Sequence, residues 1–139
     1  MATSFKTSHA CIAAFSAPNP AAGHHQPTTP KVDKVYYTGL KSHPQYDLVQ
    51  KQQKGHTGLM TFEIKGSTED ARKVINSLKV FKIGVSWGGF ESLACMPHLR
   101  CDEQTCEWLG GKQHLIRIHC GLEGTEALIE DLEQALAGI

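Results

Sequence analysis

The 139-residue chain is long enough for one domain and too short for two of ordinary size. Fourteen Lys and Arg residues balance fourteen Asp and Glu residues, so the formal charge is zero. A neutral chain lacks the basic footprint of nucleic-acid or anionic-membrane binding, and no apolar run approaches the roughly 18 residues of a membrane span. These bounds favour a soluble globular protein with neither a nucleic-acid nor a membrane partner.

Residues 1–30 differ in composition from the rest of the chain. They contain no Asp, Glu or Arg but hold four of the six prolines. The absence of any hydrophobic period predicts a poorly ordered tail. An organelle presequence would be rich in arginine, so the composition argues against one. The predicted folded domain is therefore 31–139.

The remainder alternates between strand and helix patterns. The predicted elements are a strand in 31–40, a helix from Ser42 to Gly55, a strand in 58–66, a helix in 67–80 capped by Ser67, a strand in 81–87, a short extended segment in 90–95, a loop in 97–113, a strand in 115–120 and a helix in 125–139 capped by Thr125. The order β-α-β-α-β-β-β-α predicts an α+β fold, or α/β sandwich. In it, a small mixed or antiparallel sheet is covered on one face by helices.

An arginine interrupts the apolar strand in "HLIRIHCGLE" (114–123). With a period of two, Ile116, Ile118 and Cys120 lie on one face, and Leu115, Arg117 and His119 lie on the other. The first face is predicted to pack in the core. The second is either a solvated sheet face or an anion site, because the planar guanidinium matches a carboxylate in a bidentate manner.

The five cysteines form an odd set without the regular spacing of a disulfide framework, which indicates reduced thiols in a cytoplasmic protein. A zinc site is an alternative that would use Cys95, His98, Cys101 and Cys106. The Cys-x4-Cys spacing without any Cys-x2-Cys matches zinc ligands poorly, so no metal is predicted. Cys95 and Cys120 are expected to be buried small hydrophobes.

Four segments occur in an order that is similar to a known family. "VYYTGLKSHPQYDLVQKQQKG", "GLMTFEIKG", "VSWGGFESL" and "LIRIHCGLE" resemble the pyridoxal-phosphate enzymes of Cys/Met metabolism. That family includes cystathionine γ-synthase, cystathionine lyases and methionine γ-lyase. The resemblance runs from about Lys31 to Ile139 and implies the small C-terminal domain, so we expect a truncated family member.

The resemblance also implies what the chain lacks. In the family, the Schiff-base lysine, the partner of the pyridine nitrogen and the phosphate-binding turn precede this domain. Pyridoxal-phosphate chemistry needs that lysine and that partner, because the ring is the electron sink. We therefore expect no cofactor-binding and no catalytic residue here, no covalent cofactor, and no catalysis by the chain alone.

The resemblance implies roles for four residues. Arg117 and Ser86 would bind the substrate carboxylate. Val85 stands where cystathionine-acting members often carry glutamate and methionine γ-lyases an apolar residue, which implies a methionine or simple thioether substrate, although packing is an equal alternative. Trp87 replaces the usual leucine and would narrow a substrate entrance or fill core space. His119 would add a second positive charge beside the carboxylate site if it were protonated; the expectation is a partly exposed strand histidine without a specific role.

Three functions remain open at this point. The first is the substrate-binding portion of a lyase or synthase acting on sulfur amino acids. The second is a stand-alone amino-acid-binding or regulatory domain that self-associates or docks onto a full-length relative. The third is a degenerate fragment. Neither the sulfur amino acid involved nor the oligomeric state follows from the sequence.

Overall fold

The computed structural model describes residues 30–97 and 114–139. The predicted tail, apart from Pro30, and most of the predicted loop in 97–113 lie outside these ranges. The described elements, in chain order, are β1 (Val32–Tyr36), α1 (Tyr46–Gln52), β2 (Leu59–Ile64), α2 (Thr68–Ser77), β3 (Lys82–Ile83), β4 (Leu93–Cys95), β5 (Leu115–His119) and α3 (Thr125–Leu136). Within these ranges, no helix has the length and apolarity needed to cross a membrane.

The strands form one mixed five-stranded sheet with the order β1-β2-β5-β4-β3. The pairs β1–β2, β2–β5 and β5–β4 are antiparallel, and the short β3 runs parallel to β4. β5 lies at the centre, so its residues face neighbours on both sides. The predicted α+β class with a mixed sheet is confirmed.

Helices α2 and α3 pack on one face of this sheet, which we call the core face. Core-face rows follow the register: Val35 lies opposite Phe62, which lies opposite Ile116. The buried helix residues that join this cluster are Ala71, Val74, Ile75, Leu128, Leu132, Ala135 and Leu136. Ile116, Ile118 and Cys120 are fully buried, which confirms the predicted face of β5.

Two further contacts fix the helices. Ser67 caps α2 as predicted, and it forms a reciprocal capping box with Asp70, whose carboxylate accepts the Ser67 backbone N–H at 3.0 Å. On α3, the buried Asp131 carboxylate accepts the backbone N–H groups that follow α2, those of Lys79, Val80 and Phe81, at 2.8, 2.8 and 3.0 Å. A single carboxylate thus ties the two helices together.

Two predicted boundaries of helices are wrong. Helix α1 begins at Tyr46 rather than after a cap at Ser42, because successive tight turns occupy the chain from Tyr37 to Tyr46. The predicted Thr125 cap is the first helical residue of α3. Gly124, with a φ of 105°, precedes it, and no side chain caps that end.

The third predicted strand, 81–87, is reduced to Lys82–Ile83. Gly84 donates the last ladder bond, to Ala94, at 3.1 Å. Beyond it, the backbone bonds to side chains of β5 rather than to a neighbouring strand, so the ladder ends where the predicted site begins.

Candidate functional site

The second face of the sheet, which we call the Arg117 face, carries the predicted arginine at its centre. Arg117 is flanked across the ladder by Thr61 of β2 and Cys95 of β4. Its side chain is half-buried, and its guanidinium donates a hydrogen bond to the carbonyl oxygen of Val85 at 2.5 Å. This bond orients the guanidinium toward the segment that contains Ser86.

The segment 85–90, called here the 85–90 loop, lies over the Arg117 face. It contains three of the four predicted site residues, and Arg117 contacts it, so the structure brings all four into one region. The side chains of Val85 and Trp87 are 81% and 61% exposed, and Ser86 is exposed as well. Neither Val85 nor Trp87 packs in the core formed by the described ranges.

His119 does not match its predicted description as a partly exposed, idle residue. It is only 5% exposed, and its Nε2 lies 3.1 Å from the Gly88 nitrogen, which donates to it, and 3.3 Å from the Gly89 carbonyl oxygen. Its Nδ1 is buried without a hydrogen-bond partner among the described residues. The burial arises because the 85–90 loop covers this position, a contact between segments about thirty residues apart.

A second set of bonds holds the far end of the 85–90 loop. The Glu123 carboxylate accepts the backbone N–H and the hydroxyl of Ser92, both at 2.6 Å, and the Ser92 hydroxyl accepts the Gly121 N–H at 2.8 Å. The Leu122 N–H donates to the Phe90 carbonyl at 2.8 Å. Sequence reasoning did not single out Glu123; its only sequence signal is an acid in the turn that follows the central strand.

A pocket of about 570 Å³ adjoins the loop at the end of β5, a volume within the range of small-molecule sites. Its main lining side chains are His56, Leu59, Trp87, Phe90, His119 and Leu122. Beside it, the Tyr37 hydroxyl donates to the Thr57 carbonyl at 3.1 Å. Burial, with a smaller contribution from Cys120, raises the pKa of Tyr37 to about 12.

A polar cluster occupies the Arg117 face one row further along the strands. Glu63 is only 6% exposed; its carboxylate accepts the Tyr36 hydroxyl at 3.1 Å and lies 3.3 Å from His114 Nε2. This face therefore differs from the core face in burying the polar side chains Glu63 and His119, each with a specific partner.

Comparison with known proteins now identifies the family. Residues 19–137 match the family model described as Cys/Met metabolism PLP-dependent enzyme. The chain belongs to this family. The human cystathionine gamma-lyase is 46% identical over 113 residues, which cover 78% of this chain and 28% of that protein. The L-methionine gamma-lyase of Fusobacterium nucleatum is 40% identical over 114 residues, covering 79% of this chain and 29% of that protein.

Solved structures of the family share the fold. A cystathionine gamma lyase from Micromonospora echinospora superposes with a TM-score of 0.81 at 28% identity, covering 99% of this chain and 34% of that one. The cystathionine gamma synthase of Xanthomonas oryzae pv. oryzae, solved with cystathionine, gives a TM-score of 0.79 at 30% identity, with the same two coverages. The chain thus spans about a third or less of the relatives it matches.

Among the described residues, no lysine is placed where the Schiff base of the family's pyridoxal-phosphate cofactor would need it. A Schiff base needs a lysine directed into an enclosed site. Every lysine in 30–97 and 114–139 is exposed, and none lines the pocket. The same ranges contain no group of three His, Cys, Asp or Glu side chains able to hold a metal ion, while His98, Cys101 and Cys106 of the zinc alternative lie outside them.

Proposed function

We propose that this chain is the part of a PLP-dependent sulfur amino-acid enzyme that binds the substrate carboxylate, and that Arg117 makes the principal contact. The observation that carries the proposal is the hydrogen bond from the Arg117 guanidinium to Val85, which orients the guanidinium beside Ser86. A guanidinium has five N–H donors, so one bond to a carbonyl leaves a donor pair for a carboxylate.

The neighbouring residues have distinct roles in this proposal. The Ser86 hydroxyl donates a further hydrogen bond to the bound carboxylate. Val85 and Trp87 present exposed apolar surface beside it, where the side chain of an amino acid can pack. An uncharged thioether suits such a surface better than an ionic group, because it packs against apolar side chains that offer a charge no ion-pair partner. The substrate class is thus methionine-like.

Amino-acid binding to the full chain tests this proposal. We expect L-methionine to bind weakly in calorimetric or NMR titrations, and Arg117→Lys to weaken it by about tenfold, because lysine keeps the charge but loses the bidentate fork. The matched control is Lys82→Arg, which exchanges an exposed cation on β3, just before the 85–90 loop. Equal affinity of wild type and Arg117→Lys would contradict the role of the guanidinium.

The stability of an Arg117→Ala variant separates binding from folding. Because the side chain is half-buried and bonds to an exposed loop, we expect the free energy of unfolding to change by about 1 kcal/mol or less. Denaturant unfolding measures it. A loss of several times that size would show that the arginine is a structural residue.

We also propose that the chain alone does not catalyse, since its described lysines are all exposed. Incubation with pyridoxal phosphate followed by borohydride should leave no stoichiometric adduct on a single lysine, as read by absorbance and peptide mass spectrometry. A stoichiometric adduct on one lysine would contradict this proposal and locate the cofactor residue.

A second role, as a domain that associates with a full-length relative or with itself, rests on exposed apolar side chains. Those near the site are Ile83, Val85, Trp87, Phe90 and Leu122, with exposures from 57% to 81%. Such a concentration is typical of surfaces that meet another protein. Native mass spectrometry, with and without a full-length cystathionine γ-lyase, should detect a complex that Phe90→Ser weakens. A purely monomeric chain in both samples would refute this role.

A further inference from the structure

Two side chains of β5 hold the 85–90 loop at points three residues apart. Arg117 donates to the Val85 carbonyl, and His119 accepts the Gly88 N–H at 3.1 Å. The two side chains are on the same face of one strand, about 7 Å apart along it. Ser86 and Trp87 lie between the two attached points, so both bonds together define where Ser86 stands relative to the guanidinium.

Little else within the described ranges fixes the middle of this loop. Val85, Trp87 and Phe90 are exposed by 81%, 61% and 76%, so their side chains contribute little packing. Gly88 has a φ of 87°, a conformation that glycine adopts without strain but that other residues rarely adopt. With weak packing and a flexible residue in the loop, the side-chain bond to Gly88 has a large share in its order.

Both the Gly88 nitrogen and the Gly89 carbonyl oxygen lie within hydrogen-bond distance of His119 Nε2, at 3.1 and 3.3 Å. Accepting the Gly88 N–H uses the tautomer of the ring in which Nε2 carries no proton. The other ring nitrogen, Nδ1, is buried without a partner in the described part of the chain. Burying an unpaired ring nitrogen is unfavourable, and the contacts of Nε2 with the 85–90 loop help to offset that cost.

We propose that His119 is a positioning residue that sets Ser86 beside Arg117 by fixing Gly88 against β5. This inference rests on the proposed function, since it assigns His119 to the same carboxylate site. His119 does not contact the ligand; it acts through the loop. Preorganising a binding loop lowers the entropic cost of ligand binding, and this is the contribution assigned to the histidine.

Two substitutions test this role in the full chain. His119→Leu removes the acceptor, whereas His119→Gln places a carbonyl oxygen where Nε2 lies and restores it. The matched control is His43→Leu, because His43 Nδ1 also accepts a backbone N–H, from Gln45 at 3.2 Å, but lies before α1. The first readout is amide hydrogen exchange at Gly88, which needs no ligand. The second is the dissociation constant of L-methionine, the probe used.

The expected result has three parts. His119→Leu accelerates exchange at Gly88 and raises the dissociation constant by about tenfold, corresponding to the loss of one preorganising contact. His119→Gln restores both values to within about threefold of wild type, and His43→Leu changes neither. Global unfolding measured on each variant ensures that the local exchange is not a consequence of general destabilisation; if His119→Leu does not fold, the comparison of His119→Gln with wild type takes its place.

Four results would overturn the inference. Unchanged Gly88 exchange in His119→Leu would show that the histidine does not fix the loop. Faster exchange with an unchanged dissociation constant would show a purely structural role. If His119→Leu does not fold, weaker binding by a folded His119→Gln would show that an acceptor at this place is insufficient. Absence of Arg117-dependent methionine binding in the wild type would remove the proposed function itself, and this outcome is visible before any His119 variant is compared.

Discussion

The two faces of the central sheet follow different rules. The core face is apolar across the strands, with Phe62, Ile116 and Ile118 at most 1% exposed beneath α2 and α3. The Arg117 face buries two polar residues, Glu63 and His119, and leaves large apolar side chains of the adjacent loop in solvent. On the core face the buried side chains are apolar. On the Arg117 face polar side chains are buried, while apolar side chains of the loop are exposed.

This difference separates stability from binding. Burial of apolar area on the core face supplies most of the driving force for folding. Polar groups on the Arg117 face need specific partners, so they contribute little net stability, but their bonds give the loop a defined conformation. We therefore expect core-face substitutions to change stability most and Arg117-face substitutions to change the loop most.

The largest effect should come from the core face. Phe62→Ala deletes a buried ring of β2 on the core face and should destabilise the domain by about 3–5 kcal/mol. Denaturant unfolding measures the change. Leu48→Ala, at a side chain 45% exposed, is the control and should stay within about 0.5 kcal/mol. A similar loss of unfolding free energy in both variants would show that Phe62 does not lie in the core as described.

The contact between the two helices should rank second. Asp131→Ala leaves three backbone N–H groups without their acceptor and should cost about 3 kcal/mol. Asp131→Asn keeps one oxygen and should lose less. Thermal and denaturant unfolding provide the values, with Glu133→Ala on the exposed side of α3 as control. An Asp131→Ala variant as stable as the wild type would show that this carboxylate does not tie α2 to α3.

A smaller effect is expected where the loop meets the strand end. A Cβ at Gly121 would overlap the Phe90 carbonyl oxygen and lie 2.6 Å from the Glu91 carbonyl carbon. Gly121→Ala should therefore cost about 1–3 kcal/mol and shift the NMR signals of the 85–90 loop. Gly55→Ala meets no atom within 4 Å and is the control. Undisturbed loop signals in Gly121→Ala would contradict this close approach.

The smallest effect concerns acid stability at the start of α2. The Ser67 backbone N–H, then its hydroxyl and Lys73, lower the pKa of Asp70 from 3.8 to about 2. The stabilisation is complete above 3.8 and disappears as the pH falls toward 2. In Asp70→Asn the melting temperature should depend less on pH across this window. An unchanged acid transition in the variant would show that the capping carboxylate does not titrate as described.

Local patterns predicted the core face well because each pattern is contained in a few consecutive residues. The alternation around Ile116 and Ile118 identified the buried side of β5, and the Ser67 cap identified the beginning of α2. Arg117 stood out as an interruption of an apolar strand. Its proximity to Ser86 followed only from the family resemblance, since no local pattern links positions thirty residues apart.

Local patterns failed where a distant segment supplies the partner. His119 looked like a solvent-facing residue because its own strand does not show that the 85–90 loop covers it. The length of the third predicted strand was wrong for the same reason, since its second half bonds to side chains of β5. Asp131 resembled any other acid of an amphipathic helix, although its acceptor role depends on a turn fifty residues earlier.

The sequence by itself determined the fold class, the family, the core face and the choice of Arg117 as the candidate site residue. These depend on hydrophobic period, capping residues and motif order. The tertiary structure decided which polar groups are buried and what orients Arg117. Hydrogen-bond partners on the Arg117 face come from segments that only strand pairing brings together. A buried polar group needs a hydrogen-bond partner, and a partner that is distant in sequence becomes a neighbour only when the chain folds.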